Sequence, residues 1–486
     1  MLSNSSLKKD TIFYGAATLA ERFISLLIIP ILTKSLCQEL YGVWTQIIVT
    51  TTLVSNVVLI GFHISAVRFL AGNKDNREIS NTFHSMLFIV LLNSLIVLFL
   101  TFIFAPTFGS WIFGESRFVL FAILFGFYLV CESLFELTTA FLRARKEIKL
   151  LSIYYFIKNV VRITVLALGI LLFRLNLFQT IALIIVLQVF LVVFIYIKDI
   201  LRKVGFSAYF RNVNWKEILS FSVPLVPYNL LISANFFVNR YFILHILNIN
   251  YVSIYAVAYS LSAIVGLFYS ILGYTLYPHM ANLWNNGNKS GAAEMFCQAI
   301  KYYLFFAIPF IAVLTILSAP LIKILSTSEY LSSWYIIFWL SSSIGIFGLY
   351  QLNYYITLLA NKTLFNLNLA SVALLVNVIL NIVLIPKIGI LGAAIATFVS
   401  NAVLALWTIG IGKKYLSYIF PWSAISKIVP ATFIVSLFLL IFMHYFDMSN
   451  LYILIFTGIG AAAIYMAIDL FNKNSILFQL KKNIRT

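Results

Sequence analysis

Four ionisable residues in the middle of long apolar stretches are the first candidates for chemistry. Glu132 and Glu136 lie four residues apart in one stretch, and Lys158 and Arg162 have the same spacing in the next. In a helix, this spacing places both members of a pair on one face. A short basic loop, 143–149, joins the two stretches, so an antiparallel hairpin would bring the acids near the depth of the bases. Charges at membrane depth cost about 2.5–3.5 kcal/mol each even on lenient scales, and we therefore expect them to face a protein interior or a wet cavity.

Three more charged residues lie within apolar stretches. Glu21 and Arg22 are near the middle of the first stretch, and Arg240 lies in the seventh. With the hairpin residues they make an excess of one base over the acids. One hypothesis is a cationic cavity for an anionic substrate, because the guanidinium fork binds two phosphate oxygens at once. The acids would then balance the bases or carry a coupling proton. The alternative is a set of internal salt bridges that fixes helix packing. Arg240 has no acid in its own stretch and is the best single candidate for substrate binding.

Enzyme chemistry finds little support in the sequence. His444 and Asp447 form the one close pair of a histidine and an acid, and they lie at a predicted helix end. The sequence has no Walker A motif, glycine-rich phosphate loop or zinc-ligand spacing. Its three cysteines are scattered, and we interpret them as free thiols. The prediction is a protein that is not an enzyme and that needs no cofactor or metal.

The elements that hold these charges are membrane-spanning helices. The sequence is 62% hydrophobic and only 10% charged, whereas soluble domains contain about 25% charged residues. Apolar runs of about twenty residues recur along the whole chain, each long enough to cross a bilayer as a helix. We therefore predict an all-α polytopic membrane protein with about fourteen spans, at 11–33, 43–66, 83–105, 118–142, 150–173, 177–197, 218–246, 252–277, 297–319, 333–359, 364–385, 388–412, 428–446 and 451–470.

The distribution of lysine and arginine predicts the orientation and explains the net charge of +18. An even number of spans puts both termini on one side. If that side is cytoplasmic, 24 basic residues lie inside, 5 lie outside and 4 lie within spans. This asymmetry follows the positive-inside rule. The excess charge then faces the cytoplasm and anionic lipid, and nucleic acid is not needed to explain it.

Two similar passages suggest that the chain consists of two repeated halves. Leu59–Phe62 ends the second span before a polar Gly-Asn-Lys sequence, and Ile271–Tyr274 ends the eighth span before another. Spans one and seven both start inside, so the repeat is parallel. Transporters are often built from such repeats, with the substrate site between them. We predict an N-terminal lobe of six spans, a C-terminal lobe of six spans, and an accessory pair of spans with the tail, at 1–200, 201–415 and 416–486.

Three passages resemble the bacterial polysaccharide flippase family, the translocases of lipid-linked O-antigen and capsule oligosaccharides. They are Pro30–Leu36 followed by Tyr41–Trp44, then Phe221–Pro227 followed by Asn239–Phe242, and the run from Asn377 to Thr397, which is the most specific. Asn239 stands where the family often has an aspartate before the arginine, and this argues against a coupling acid at that position.

The resemblance implies the fold of the multidrug/oligosaccharidyl-lipid/polysaccharide exporter superfamily. Two pseudo-symmetric six-helix lobes would surround a central cavity, with two further helices at the C-terminus. The implied substrate is undecaprenyl diphosphate bearing a short glycan, moved from the cytoplasmic to the outer leaflet of the bacterial inner membrane by alternating access. Relatives that flip the peptidoglycan precursor use cavity arginines, one of them in the first helix, which is where Arg22 lies.

The sequence thus predicts a lipid-linked oligosaccharide flippase of the O-antigen or lipopolysaccharide type. Arg22, Lys158, Arg162 and Arg240 would bind the diphosphate, and Glu21, Glu132 and Glu136 would balance them or exchange protons. The predicted partners are membrane lipid, a coupling H⁺ or Na⁺, and a glycan polymerase. One alternative is a multidrug or cation antiporter of the same superfamily, which the excess of bases disfavours. Another is a membrane glycan polymerase or ligase, which would need a large external loop that the sequence lacks.

Overall fold

The computed structural model describes residues 26–72, 75–207, 209, 213–360, 362–471, 475 and 476. All regular elements in these ranges are helices. Contacts group the chain into two compact units, Met1–Ser253 and Ile254–Thr486. The two lobes, which we predicted to meet after residue 200, stay a prediction. The accessory pair of spans also stays a prediction.

The first unit contains eleven described helices and the start of a twelfth. They are α1 (Leu26–Ser35), α2 (Gln38–Val58), α3 (Phe62–Leu70), α4 (Asn76–Ile103), α5 (Ala105–Phe113), α6 (Val119–Ala144), α7 (Ile148–Ala167), α8 (Leu177–Ile195), α9 (Arg202–Val204), α10 (Trp215–Ser222), α11 (Leu225–Ile246) and α12 (Ile249–Ser262), which crosses the boundary. A 3₁₀ turn precedes α6, and π-helical turns follow α7 and α8, at Ser116–Phe118, Leu168–Leu172 and Tyr196–Leu201.

The second unit continues with eight helices in its described residues. They are α13 (Gly266–Asn285), α14 (Lys289–Ile316), α15 (Ser318–Leu325), α16 (Ile337–Leu359), α17 (Thr363–Ile388), α18 (Ile390–Tyr415), α19 (Trp422–Tyr445) and α20 (Leu451–Phe471). A 3₁₀ turn precedes α13, and a longer 3₁₀ segment precedes α16, at Ala263–Val265 and Ser328–Ile336.

The helices confirm an all-α polytopic membrane protein. Twelve segments of the described chain are long and apolar enough to cross a membrane, and some of them join two helices, such as α10 with α11 and α12 with α13. The number is thirteen if α2 and α3, which meet at 51°, count as one span. The first predicted span, 11–33, lies largely outside the described residues, and α1 includes its end.

The bend between α2 and α3 depends on a glycine. Gly61 has a φ of 73°, in the left-handed region that glycine adopts without steric cost. A Cβ atom built on Gly61 would lie 2.7 Å from the carbonyl oxygen of Ser222, at the end of α10. The bend and the close approach to α10 therefore both require glycine here.

Helix α6 is the centre of the first unit. It packs against α2, α3, α4, α5, α7 and α8. More than half of the residues in its apolar stretch are buried. Phe125, Leu129 and Phe135 are fully buried on it. Gly126 lets α4 approach closely, since a Cβ there would lie 2.5 Å from Thr101 Oγ1. A charged residue on α6 therefore faces other helices, which is what two acids at membrane depth require.

In the second unit, α16 and α18 pack together along their length, and α19 packs against α14. The core around α14 includes Phe296, Tyr303 and Phe305. Helix α20 is joined to it by a hydrogen bond from the Tyr465 hydroxyl to the Phe305 carbonyl (3.0 Å). In contrast, α19 and α20 have long outward rows of phenylalanine, leucine and isoleucine side chains, as expected for surfaces that meet lipid.

Candidate functional site

A buried ion pair joins α6 to α7. Lys158 Nζ lies 2.8 Å from Glu132 Oε1, and their side chains are 12% and 20% exposed. The second carboxylate oxygen of Glu132 accepts a hydrogen bond from the Gln188 amide of α8. The ammonium of Lys158 also lies 4.2 Å from the centre of the Phe135 ring. The acid and base of the predicted hairpin thus meet, and the added amide helps to offset the cost of removing both charges from water.

Glu136 lies one turn further along α6 and has a different environment. Its two carboxylate oxygens each lie 3.0 Å from the Tyr155 hydroxyl of α7, which donates to them. Within the described residues, Glu136 has no lysine or arginine nitrogen within 4.0 Å, whereas Glu132 has Lys158. A carboxyl group held by a neutral hydroxyl can be accommodated with or without its proton. Glu136 is therefore the acid of this cluster best suited to exchange a proton.

Arg162 lies one turn beyond Lys158 on α7. Its Nη2 donates to Asn159 Oδ1 (2.8 Å), and Asn159 in turn donates to the Tyr155 carbonyl (3.0 Å). The Nε–H of Arg162 is buried and has no hydrogen-bond partner in the described part of the chain. Leaving a buried donor unsatisfied costs about 1–3 kcal/mol, and more for a charged group. An oxygen atom of a ligand or of water would remove that cost.

A pocket in the first unit opens beside Arg162, between α6, α7 and α8. It is a small cleft, partly open to the outside. Four of its lining side chains carry hydrogen-bond donors and the others are apolar: Tyr128, Lys158, Arg162 and Gln188 with Val161, Ile184, Leu187 and Leu191. Donors on apolar walls, two of them cationic, suit an anion that accepts several hydrogen bonds.

Arg240 lies on α11, which packs against α2 in the same unit. It is only 6% exposed, and its guanidinium carbon lies 5.8 Å from the centre of the Phe237 ring. Two polar contacts join α11 to α2, one between the Tyr241 and Thr50 hydroxyls (2.7 Å) and one from the Asn56 amide to the Ser233 hydroxyl (3.2 Å). The contact between α11 and α2 is therefore partly polar.

The structure thus brings together four of the seven predicted residues, Glu132, Glu136, Lys158 and Arg162. Arg240 lies on a separate helix, and Glu21 and Arg22 lie outside the described residues. Sequence reasoning missed the neutral partners Tyr128, Tyr155, Asn159 and Gln188. Three of these could have been found from helical spacing. Tyr128 precedes Glu132 by four residues, and Tyr155 and Asn159 precede Arg162 by seven and three residues, so each lies on the same helix face as the charged residue. Gln188 had no signal beyond being an amide in an apolar run.

The fold is shared with solved transporters and flippases. A structure of the lipid II flippase MurJ in an inward closed conformation is similar with a TM-score of 0.76, over 94% of this chain and 98% of that chain at 17% identity. An inward-facing multidrug resistance MATE family transporter matches with a TM-score of 0.65, over 82% of this chain and 94% of that chain at 15% identity. A Pyrococcus furiosus transporter whose binding pocket is described as reversed in polarity matches with a TM-score of 0.58, over 84% and 94% at 14% identity.

These similarities define the class as membrane proteins with the fold of the multidrug/oligosaccharidyl-lipid/polysaccharide exporter superfamily. The model of one family, described as polysaccharide biosynthesis protein, matches residues 7–284, which is more than half of the sequence. The chain belongs to this polysaccharide biosynthesis family. None of the curated proteins compared with the sequence matches it.

Proposed function

We propose that this protein is a flippase for undecaprenyl-diphosphate-linked oligosaccharide, which it moves from the cytoplasmic to the outer leaflet by alternating access. The family supports a role in polysaccharide synthesis. A solved structure of the same fold is named a lipid II flippase. Like lipid II, the substrate proposed here is linked to a lipid. The observation that carries the proposal is the pocket lined by Lys158 and Arg162, with the buried and unsatisfied Nε–H of Arg162 beside it.

The chemistry of the pocket suits the diphosphate. Arg162 offers a planar fork to two oxygens, and Lys158 offers a compact positive charge. Because Glu132 also holds the Gln188 amide, that acid keeps one partner when a phosphate oxygen competes for Lys158. The pocket is a small cleft with two cations among its lining residues, and it is proposed to contact the oxygens of the diphosphate headgroup only. Arg22 and Arg240 are proposed as further ligands of the diphosphate along its path.

Glu136 is proposed as the coupling acid, with H⁺ as the coupling ion and Na⁺ as the alternative. An ionised Glu136 lies near Lys158 and repels an incoming anion. Protonation removes that repulsion and favours diphosphate binding, and by reciprocity the bound diphosphate favours protonation. Glu132 and Glu21 are proposed to balance the remaining bases.

The proposed location is the bacterial cytoplasmic membrane, with both termini in the cytoplasm, because the 24 inside bases outnumber the 5 outside. On the outer side, a membrane glycan polymerase would receive the translocated oligosaccharide. O-antigen, as a component of lipopolysaccharide, is the proposed destination of the glycan.

The test measures binding of undecaprenyl diphosphate to the purified full chain by native mass spectrometry, together with surface glycan in cells that have this gene as their sole copy. Arg162→Gln should weaken binding by about tenfold or more, since hydrogen bonds to charged groups contribute about 1.5–3 kcal/mol. It should also lower surface glycan at unchanged protein level. Arg162→Lys should recover part of the affinity, because it keeps the charge without the fork.

Arg174→Gln is the matched control, since Arg174 is exposed beyond the end of α7 and should affect neither measurement. Equal binding by Arg162→Gln and the unchanged protein would rule out the pocket as the diphosphate site.

A further inference from the structure

The amide of Asn159 on α7 is a buried polar group that acts on the pocket of the first unit from behind. Asn159 is only 2% exposed, and the side chains that line the pocket include Arg162 but not Asn159. Its Oδ1 accepts a hydrogen bond from Nη2 of Arg162 (2.8 Å), and its Nδ2 donates to the Tyr155 carbonyl oxygen one turn earlier (3.0 Å). Asn159 can therefore influence a ligand in the pocket through Arg162.

These two contacts fix the direction in which the amide faces. If the amide were turned over, its NH₂ group would meet the guanidinium and its oxygen would meet a carbonyl oxygen. Neither arrangement allows a hydrogen bond, because it places two donors or two acceptors together. Arg162 is thus held by a partner that is itself held. A long side chain that is ordered in advance loses less conformational freedom when a ligand binds.

The partner of Arg162 is neutral, whereas the partner of Lys158 is charged. Lys158 Nζ lies 2.8 Å from a carboxylate oxygen of Glu132, and Arg162 Nη2 lies 2.8 Å from an amide oxygen. Within the described residues, Arg162 has no carboxylate oxygen within 4.0 Å. An amide oxygen satisfies one N–H of the guanidinium without cancelling its positive charge. That charge remains available to an anion.

The net charge of the cluster depends on this neutral partner. The cluster has two acids, Glu132 and Glu136, and two bases, Lys158 and Arg162. Its formal charge is zero when both acids are ionised and +1 when Glu136 carries a proton. A carboxylate at position 159 would lower each of these values by one, to −1 and zero. The cluster would then have a net positive charge in neither state.

We infer that Asn159 is a positioning and specificity-determining residue for the proposed substrate. It orients the Arg162 guanidinium at the pocket, and its neutrality leaves that positive charge to the diphosphate. Aspartate would orient Arg162 but cancel its charge, and leucine would leave the charge but not orient it. The inference rests on the proposed function and deepens it, because it assigns the preference of the pocket for an anion over a cation to one amide.

The experiment measures the affinity of the purified full chain for undecaprenyl diphosphate by native mass spectrometry at one fixed pH, with the free energy of unfolding of each variant beside it. Asn159→Leu should weaken binding about fivefold, because Arg162 must then be ordered when the ligand arrives. Asn159→Asp should weaken binding about thirtyfold, the effect of a unit charge held one guanidinium away, at roughly 8 Å, with an effective dielectric constant of about 20. A packing role alone predicts the opposite order, since aspartate keeps the shape and the acceptor that leucine lacks.

A double-mutant cycle tests whether Asn159 acts through Arg162. If it does, adding Asn159→Leu to Arg162→Gln should cause no further loss of affinity, because the side chain that the amide positions is already absent. The two single losses should therefore not add. This arm also decides the positioning role if Asn159→Asp fails to fold.

Asn353 of the second unit offers a matched control. It is fully buried, its Nδ2 donates to the Leu349 carbonyl oxygen one turn earlier (2.9 Å), and its Oδ1 accepts from the Tyr418 hydroxyl (2.8 Å). The geometry thus repeats that of Asn159 with a neutral donor in place of a cation. Asn353→Leu and Asn353→Asp should lower the free energy of unfolding but leave the affinity of the folded protein unchanged.

Each contrary result overturns the inference at a different step. If Asn159→Asp binds no more weakly than Asn159→Leu, the neutrality of the amide does not set the specificity. If Asn159→Leu weakens binding further in the Arg162→Gln variant, the amide acts by another route. Affinity losses at Asn353 as large as those at Asn159 would reduce both residues to packing. If the unchanged protein does not bind the lipid, or Arg162→Gln binds it equally well, the proposed function itself fails, which the Asn159 variants alone cannot cause.

Discussion

Replacing Lys158 with methionine should destabilise the protein by about 3 kcal/mol. Removing one member of a buried ion pair typically costs about 3–5 kcal/mol, because the other charge is left buried and uncompensated. The low end applies here, since the Lys158 and Glu132 side chains are 12% and 20% exposed and water can relieve part of the loss. Glu132→Gln should cost about 2 kcal/mol on the same grounds, because the new amide can still accept from Gln188.

The double variant Lys158→Met with Glu132→Gln should be more stable than either single variant, because it buries no unpaired charge. The loss in the double variant should therefore fall short of the sum of the single losses by about 3 kcal/mol, since the two residues are in direct contact. The assay is chemical unfolding of the purified protein in detergent, followed by tryptophan fluorescence. Arg117→Met is the matched control: Arg117 pairs with Glu115 at 59% and 53% exposure, and such pairs contribute about 1 kcal/mol or less.

Two results would refute this reasoning. One is a Lys158→Met variant no less stable than Arg117→Met. The other is a double variant whose loss equals the sum of the single losses. The same double variant also separates packing from transport. It should fold but fail to deliver surface glycan, since the pocket would lack one of its two cations. Full surface glycan would assign Lys158 to helix packing alone.

Three further predictions concern single residues. Arg240→Gln should abolish surface glycan while leaving the protein in the membrane, and full glycan would remove Arg240 from the substrate path. In the unchanged protein, the affinity for diphosphate should weaken as pH rises. Glu136→Gln should remove this pH dependence and keep the tighter affinity that the unchanged protein has at low pH. If the variant keeps the pH dependence, the coupling acid lies elsewhere. Gly61→Ala should lower the free energy of unfolding by about 2–3 kcal/mol, since strained backbone costs about 1–3 kcal/mol and the new Cβ would lie 2.7 Å from Ser222 O. Gly72→Ala, at φ 79° with open space around it, should cost only the backbone part, and equal losses in the two unfolding measurements would contradict the steric explanation.

The sequence predicted the spans well because long apolar runs are a local signal. The positions of Glu132 and Lys158 could also be predicted as neighbours, since helical spacing and a short loop determine their depth. The third member of that contact, Gln188, comes from another helix, and only the packing of α8 against α6 brings it there. Predicting that contact would require the helix arrangement, which apolar periodicity alone does not specify.

Two short helices also escaped prediction, although the sequence contains a sign of them. Helix α5 follows α4 almost directly, and α15 follows α14 in the same way. Both contain an Ala-Pro pair near their start, at 105–106 and 319–320. Proline favours the first turn of a helix, where its missing N–H costs nothing. Each segment is too short to cross a bilayer, so a search for membrane spans does not detect it. Their matching places after spans three and nine agree with the repeat inferred from the sequence.

The structural and substrate-binding interpretations of the membrane charges apply to different parts of one cluster. Lys158 and Glu132 pair with each other, and an aromatic ring and an amide complete the contact. Such an arrangement is typical of an ion pair that stabilises helix packing. Arg162 differs, because its Nε–H is buried with no partner in the described chain and its side chain lines an open pocket. If Arg162 had only a structural role, we would expect a neighbouring acceptor for its Nε–H, because a buried donor without a partner is energetically costly. We therefore propose that the ion pair fixes α6 and α7 at the spacing that holds Arg162 ready for an anion, and that Arg162 makes the first contact with the proposed substrate.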